Sequence, residues 1–211
     1  AEPGANILVA APSDGDSEGI TTTDIEGGGG YNNGDYNDNF GGTSSATPLV
    51  SGVVALVLEA NPNLTYRDIE HIIVQSSRVN DANDNGWNVN GAGHDVSHKY
   101  GFGVIDASAA VALAENWVNV DPEINFQSGL IDVPDRQIPD NSATGISEVT
   151  NVPDSIKVEH DEVIVDIDHS YRGDLEIILT SPSGTQSVLS EKHEDNGNNW
   201  NNWMFTSVHH W

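Results

Sequence analysis

The chain of 211 residues carries 33 acidic and 7 basic side chains, a formal charge of −26, and no cysteine. This excess of carboxylates argues against nucleic acid and anionic membrane surfaces as partners, because both repel negative charge. The lack of cysteine excludes disulfides, thiolate metal sites and thiol nucleophiles. Residues 1–115 and 116–211 each carry a charge of −13, so the acidity is typical of a whole surface rather than of one local site.

Two contrasting stretches come first along the chain. Residues 13–41 are rich in Gly, Asp, Asn, Ser and Thr, with four glycines at 27–30, which is typical of a flexible surface loop. Gly41–Pro48 then opens an apolar run that ends at Leu58. The glycines permit a sharp turn and a close backbone approach. We expect a helix that is hydrophobic all round and runs through a core, with Ser44 at its N-terminus.

The start and the length of this helix both bear on function. At its N-terminus, backbone N–H groups carry partial positive charge, which suits an oxyanion developing beside the Ser44 hydroxyl. Its longest unbroken apolar run, Val53–Leu58, is far shorter than the ~18 residues of a membrane span. We therefore expect no membrane partner. Asn61-Pro62 ends the helix, because proline bars the preceding residue from helical geometry.

Two further helices are predicted. Thr65 followed by Asp68 three residues later indicates an N-cap with a near capping box. The apolar face that follows at helical spacing consists of Ile69, Ile72 and Ile73. Asp106 is the predicted N-cap of an alanine-rich helix that ends near Glu115.

The pattern changes near Asn116, where short runs of alternating apolar and polar residues begin. The apolar positions of these runs are Val163, Val165, Ile167, Leu175, Ile177 and Leu179. A period of two indicates half-buried antiparallel strands, and Ser183-Gly184 indicates a tight turn between two of them. This half of the chain is therefore predicted to be a β-sandwich.

Several segments resemble one protease family. Gly41–Pro48 resembles the nucleophile segment of subtilisin-type serine proteases, in which the serine of Gly-Thr-Ser attacks and a proline follows four residues later. Glu2–Pro12 resembles the strand that precedes this segment in subtilases. Segments similar to the kexin-like and furin-like members are Thr21–Ile25, Leu58–Ile69 and His98–Ala107. Ile167–Thr185 resembles the signature hairpin of the P domain (homo B domain), and Ser207–Trp211 is similar to a later strand of that module.

The resemblance implies two domains. Residues 1–116 would be the C-terminal part of an α/β three-layer subtilase catalytic domain with a mostly parallel sheet. Residues 117–211 would be an all-β, jelly-roll-like sandwich P domain, incomplete at its C-terminus. It also implies a secreted or cell-envelope protein, and the absence of cysteine favours a bacterial source.

The same resemblance implies a serine endopeptidase of the kexin-like branch that acts on polypeptide substrates. Ser44 would be the nucleophile, and its own backbone N–H would be an oxyanion donor. In the family order, the triad aspartate and histidine and the oxyanion side chain lie upstream of these residues. We therefore expect the chain to depend on the N-terminal part of its own catalytic domain and to be inactive alone.

Other residues of the chain are candidates for a catalytic base or for metal ligands. His71, His94 and His98 have no matching carboxylate in the order that the family uses. Asp81–Gly86 begins like an EF-hand loop, but its twelfth position is Ala92, so a plain turn is the better interpretation. Calcium is common in the family that the chain resembles, and its candidate ligands near the P-domain hairpin are Asp166, Asp168 and Asp174. Alternate strand residues on an exposed face explain these carboxylates as well.

An alternative function rests on the second half of the chain. Trp200 and Trp203 could form a platform for stacking sugars, although aromatic residues are more often core or loop anchors. The alternative is thus a β-sandwich binding module for calcium or carbohydrate, attached to a degenerate protease remnant.

Overall fold

The computed structural model describes residues 2–133, 136–153 and 155–211. Its helices are α1 (Thr43–Ala60), α2 (Tyr66–Ser76) and α3 (Ala107–Ala114). Its strands are β1 (Ile20–Thr23), β2 (Tyr36–Phe40), β3 (Trp87–Val89), β4 (Asp95–Ser97), β5 (Asp161–Ile167), β6 (Ile177–Thr180), β7 (Gln186–Ser190) and β8 (Trp200–Ser207). Short 3-10 turns lie at Gly27–Gly29 and Arg172–Asp174.

All strand ladders among the described residues are antiparallel pairs: β1 with β2, β3 with β4, β5 with β8, and β6 with β7. A parallel bridge joins Ala10 to Val104, and the Ala10 amide donates to the Gly103 carbonyl at 2.8 Å. The three-layer, mostly parallel arrangement and the jelly roll therefore stay predictions. The expected alternation of burial is confirmed along β5, as is the tight turn at Ser183-Gly184 between β6 and β7.

The stretch 13–41 is more ordered than its composition indicated. It contains the β1–β2 ladder, in which Ile20 lies opposite Phe40 and Thr23 opposite Tyr36. A Cβ atom at Gly19 would lie 2.7 Å from the Cα of Asn39, so the absence of a side chain lets the two backbones meet. The prediction of a loop throughout was wrong, because the strands are short and their pairing is non-local.

Helix α1 does not run through a core in this chain. Its buried residues are Ser45 and Val57, whereas Leu56 is 49% exposed. Helix α3 packs against it through Ala110 and Ala114, which cluster with Val57, and its other apolar faces meet solvent. By length and composition alone α1 could also cross a membrane, but this is a weak indication because core helices of water-soluble proteins meet the same criterion.

Helix α2 forms as predicted and contributes residues to both apolar clusters of the structure. The Thr65 hydroxyl and the Asp68 carboxylate form a reciprocal capping box at its N-terminus. Two apolar clusters flank the helix. One contains Val57, Ile72, Ala110 and Ala114, and the other contains Val74, Val96, Phe102, Val208 and Trp211. Asp106 caps α3 as expected, accepting from the Ala109 amide at 3.0 Å.

The carboxylate of Asp68 is fully buried and accepts four hydrogen bonds. It accepts from the Thr65 amide at 2.7 Å and from the Thr65 hydroxyl at 2.6 Å. It also accepts from the Trp117 indole at 2.9 Å and the Val120 amide at 2.8 Å. Burial alone would raise the pKa of Asp68, but these hydrogen bonds outweigh it and lower the pKa to about 2.

Residues 158–211 pack against α2 through charged groups. The Arg67 guanidinium donates to both Glu159 carboxylate oxygens, at 2.7 and 2.5 Å. The His71 ring contacts the same carboxylate at 2.8 Å. The guanidinium holds the pKa of Glu159 below its ordinary value. We call this set of three side chains the Glu159 junction.

Residues 121–157 form a second unit. Among its described residues there is no helix or strand. Arg136 and Glu148 form an ion pair within it.

Asp68→Asn is expected to lower the free energy of unfolding by about 2 kcal/mol at pH 7, because an amide offers one acceptor oxygen to four donors. The folded pKa lies below the unfolded value of about 3.9, so the stabilisation is complete above that value and is lost as pH falls through about 2. Urea unfolding of both proteins between pH 2 and 7 measures this, with the exposed Asp95→Asn as control. Equal stabilities at pH 7 would contradict it.

Glu159→Gln is expected to cost about 1–3 kcal/mol of unfolding free energy, because it removes the negative charge of the carboxylate that accepts two hydrogen bonds from the half-buried Arg67 guanidinium. Thermal unfolding monitored by tryptophan fluorescence measures the loss. Glu162→Gln, at an exposed position on β5, is the matched control. A Glu159→Gln protein as stable as this control would show that the junction contributes nothing.

Candidate active site

The turn before α1 needs glycine. Gly42 is the N-cap of α1 and has φ 75° and ψ −173°, a region that residues with a Cβ atom essentially avoid. A Cβ atom at Gly41 would lie 2.4 Å from Cγ of Asp14. The two glycines therefore let the chain reverse tightly and enter the helix at Thr43.

Ser44, the second residue of α1, is exposed. Among the described residues, neither its hydroxyl nor its backbone N–H has a hydrogen-bond partner. The N–H belongs to the first turn of the helix, where backbone donors lack intrahelical acceptors. Pro48 has no N–H, so it cannot donate to the Ser44 carbonyl four residues before it. Ser44 thus offers a hydroxyl and a free donor on the same residue.

Ser45 lies in the opposite environment. It is 2% exposed, and its hydroxyl donates to the Gly42 carbonyl at 2.9 Å. The same hydroxyl lies 2.8 Å from the hydroxyl of Ser13. Its oxygen is held inside the turn and faces no open space.

Two residues that sequence analysis did not single out contact this turn. The Asp14 carboxylate accepts from the Gly42 amide at 2.6 Å, and the Ser13 hydroxyl lies 2.7 Å from the Gly42 carbonyl oxygen. Both belong to the stretch that was predicted to be a loop. Its composition gave no signal for either contact, because they join residues 28 and 29 positions apart.

Several histidines are buried or contact carboxylates. His71 contacts Glu159, and His98 lies 3.1 Å from the Glu191 carboxylate. His209 is buried, and its burial lowers its pKa to about 4, with the neighbouring His98 as a smaller cause. In the part of the chain that the structure describes, no histidine is hydrogen-bonded to Ser44.

The candidate metal ligands do not converge. Asp166, Asp168 and Asp174 are all exposed. Over residues 2–133, 136–153 and 155–211, no three His, Asp or Glu side chains gather in a way that could hold a metal ion. In the Asp81–Gly86 turn, Asp84 accepts from the Lys99 ammonium at 2.5 Å and from the Gly86 amide at 2.7 Å. That carboxylate is therefore already neutralised by a cation of the chain.

The two tryptophans do not form a flat platform. The rings of Trp200 and Trp203 lie 5.4 Å apart and are inclined by 60°. Trp200 is buried beneath the Arg172 guanidinium, which lies 5.1 Å from its ring. Trp203 is 49% exposed. A sugar stacks on a face that is open to solvent, and Trp200 has none.

Comparison with known proteins gives matches in both halves of the chain. Residues 3–103 match the family model described as "Subtilase family", and residues 158–211 match "Proprotein convertase P-domain". Proprotein convertase subtilisin/kexin type 5 of Rattus norvegicus is 42% identical over 185 residues, covering 82% of this chain and 10% of that protein. Furin of Homo sapiens is 39% identical over 177 residues, covering 81% of this chain and 22% of furin.

A solved structure is similar over the whole length of the chain. The serine protease of Aeromonas sobria, in its complex with a chaperone, superposes with a TM-score of 0.88 at 26% identity. The match covers 100% of this chain and 45% of that one. The chain thus spans between a tenth and less than half of the length of these relatives. Together with the matched segments, these similarities identify the chain as a member of the subtilase family, in the branch that combines subtilase and P-domain sequences.

Proposed function

We propose that this chain is part of a serine endopeptidase of the kexin-like branch that cleaves polypeptides through an acyl-enzyme on Ser44. The observation that carries the proposal is the contrast between two adjacent serines. Ser44 is exposed, with its hydroxyl and N–H unpaired among the described residues, whereas Ser45 is buried and bonded within the turn. A nucleophile has to reach substrate, and only the first of these oxygens can do so.

In the proposed reaction, Ser44 Oγ attacks the carbonyl carbon of the scissile peptide bond and gives its proton to a general base. The carbonyl oxygen becomes an oxyanion, which accepts a hydrogen bond from the Ser44 N–H. Collapse of this intermediate breaks the C–N bond, and the base returns the proton to the leaving amine. Water then releases the acyl group by the reverse sequence.

We propose that the base histidine, the aspartate that orients it and the oxyanion side chain come from the N-terminal part of the same catalytic domain. The family membership supports this, as does the lack of a histidine hydrogen-bonded to Ser44 among the described residues. The chain by itself is then expected to show no turnover, since an unactivated serine hydroxyl is a weak nucleophile.

The proposed domain division is residues 1–116 as catalytic domain and 117–211 as P domain. The family matches at 3–103 and 158–211 support it.

The role proposed for the P domain is to stabilise the catalytic domain, and the Glu159 junction supports that role because it joins residues 158–211 to α2. The similarity to a protease of Aeromonas sobria supports the proposed bacterial source, and the proposed secreted or cell-envelope location rests on the family resemblance alone.

Labelling tests the nucleophile. In the longer protein that contains this chain and an upstream catalytic segment, a fluorophosphonate is expected to form one adduct, on Ser44, located by peptide mass mapping. Ser44→Ala should abolish labelling and turnover, because it removes the hydroxyl that is proposed to attack. Ser45→Ala is the matched control and should keep labelling at Ser44.

An adduct on Ser45, or its loss in Ser45→Ala alone, would overturn the assignment of the nucleophile. A folded, unlabelled protein would instead favour the alternative of a β-sandwich binding module beside an inactive protease remnant.

Calcium remains a proposal for the P-domain carboxylates Asp166, Asp168 and Asp174, although their exposed, separate positions give it no geometric support. If calcium binds the folded chain, millimolar CaCl₂ should raise the melting temperature through mass action. Asp168→Asn should remove that rise, and Glu162→Gln should keep it. An unchanged melting temperature in the unaltered protein rejects the site.

A further inference from the structure

The peptide groups on both sides of Gly42 are held by residues that lie far away in the sequence. The Asp14 carboxylate accepts a hydrogen bond from the Gly42 N–H at 2.6 Å, and the Ser13 hydroxyl lies 2.7 Å from the Gly42 carbonyl oxygen. The Ser13 oxygen also lies 2.8 Å from both Asp14 Oδ1 and the Ser45 hydroxyl. We call Ser13 and Asp14, with these contacts, the 13–14 clamp.

The clamp acts on the residue that sets the direction of the helix. Gly42 has φ 75° and ψ −173°, a conformation that glycine reaches without steric cost but is equally free to leave, so contacts from neighbouring residues have to hold it there. Since α1 begins at Thr43, the Gly42 peptide fixes where the N–H and the hydroxyl of Ser44 point. Within the turn, the Ser45 hydroxyl restrains the Gly42 carbonyl, whereas the Gly42 N–H is held from elsewhere in the sequence, by Asp14.

The Asp14 carboxylate packs closely against the backbone of Gly41. It occupies the space that a Cβ atom at Gly41 would need, with a closest approach of 2.4 Å to Cγ. The hydrogen bond from the Gly42 amide lowers the pKa of Asp14, with a smaller effect from the Ser13 hydroxyl. The group therefore stays an acceptor under ordinary conditions. It satisfies the Gly42 N–H and leaves the Ser44 N–H to the substrate.

We propose that Ser13 and Asp14 are positioning residues for the nucleophile: they hold Gly42 so that the Ser44 hydroxyl and N–H meet the scissile carbonyl together. This inference rests on the proposed role of Ser44. Neither residue touches substrate in this scheme, and both act through the Gly42 peptide.

The test uses the longer protein with its upstream catalytic segment. Asp14→Ala removes the acceptor and should lower kcat, and the rate of fluorophosphonate labelling at Ser44, by about 10- to 100-fold. KM should change little, because substrate binding groups are untouched. Asp14→Asn keeps a carbonyl oxygen for the Gly42 N–H and should recover most of the rate. A merely structural contact would not produce this split or this rescue.

A matched control lies in the same stretch of chain. Asp35 accepts from the amide of Gly27 at 3.2 Å, and Gly27 has the same φ of 75° as Gly42. Asp35→Ala thus removes the same kind of bond away from α1 and should leave kcat unchanged. Hydrogen exchange at the Gly42 amide gives a readout that is independent of activity. It should be accelerated in Asp14→Ala and not in Asp35→Ala.

If Asp14→Ala lowers the melting temperature too far for kinetics, Ser13→Ala loosens the other side of the peptide and should also lower kcat. Wild-type labelling rates in both variants, with faster exchange at Gly42, would overturn the positioning role and leave the proposed function intact. An unlabelled wild type with a protected Gly42 amide would overturn the proposed function, and the positioning role with it.

Discussion

The buried carboxylate of Asp68 is the interaction on which the rest of this structure depends. Its four hydrogen bonds cap α2 and fasten residues 117–120 to the same helix. An unpaired charge at such depth would cost several kcal/mol, so the carboxylate and its donors have to assemble together. Helix α2 then presents Ile72 to one apolar cluster and Val74 to the other.

The same helix connects the two family segments. Arg67 and His71 lie on either side of Asp68 in the sequence and meet the carboxylate of Glu159. Trp211 packs in the cluster that contains Val74, with its ring 4.9 Å from that of His71. Charged and aromatic groups therefore bind residues 158–211 to a helix of the subtilase segment. One carboxylate, that of Glu159, meets both Arg67 and His71 of this helix, so the contact depends on the spacing of these two residues along it.

The candidate site depends on two glycines, Gly41 and Gly42, rather than on a buried charged side chain. Gly41 and Gly42 bring the chain into α1 with its first donors unpaired, and the hydroxyl of Ser44 lies beside one of them. An enzyme gains most from donors that are fixed before the reaction begins. A glycine turn cannot fix itself, because glycine has the largest conformational freedom of any residue. Contacts from Asp14 and Ser13 supply what the turn lacks.

The sequence by itself determined the local features. Gly41–Pro48 indicated the turn and the exposed serine, Thr65 and Asp68 indicated the capping box, and the alternation along β5 was visible in the pattern. Each of these depends on residues within a few positions of one another, so residue type and spacing are sufficient.

Only the tertiary structure decided the pairing of β5 with β8, the exposure of α1, and the contact of Asp14 with Gly42. These features join residues tens of positions apart, or depend on what packs against an apolar face. The contacts that stabilise these features form only when distant parts of the chain meet, so a local pattern of residues does not predict them. The nucleophilic role of Ser44 is a prediction that the sequence alone makes, whereas the contacts of Ser13 and Asp14 with the turn before it could only be seen in the fold.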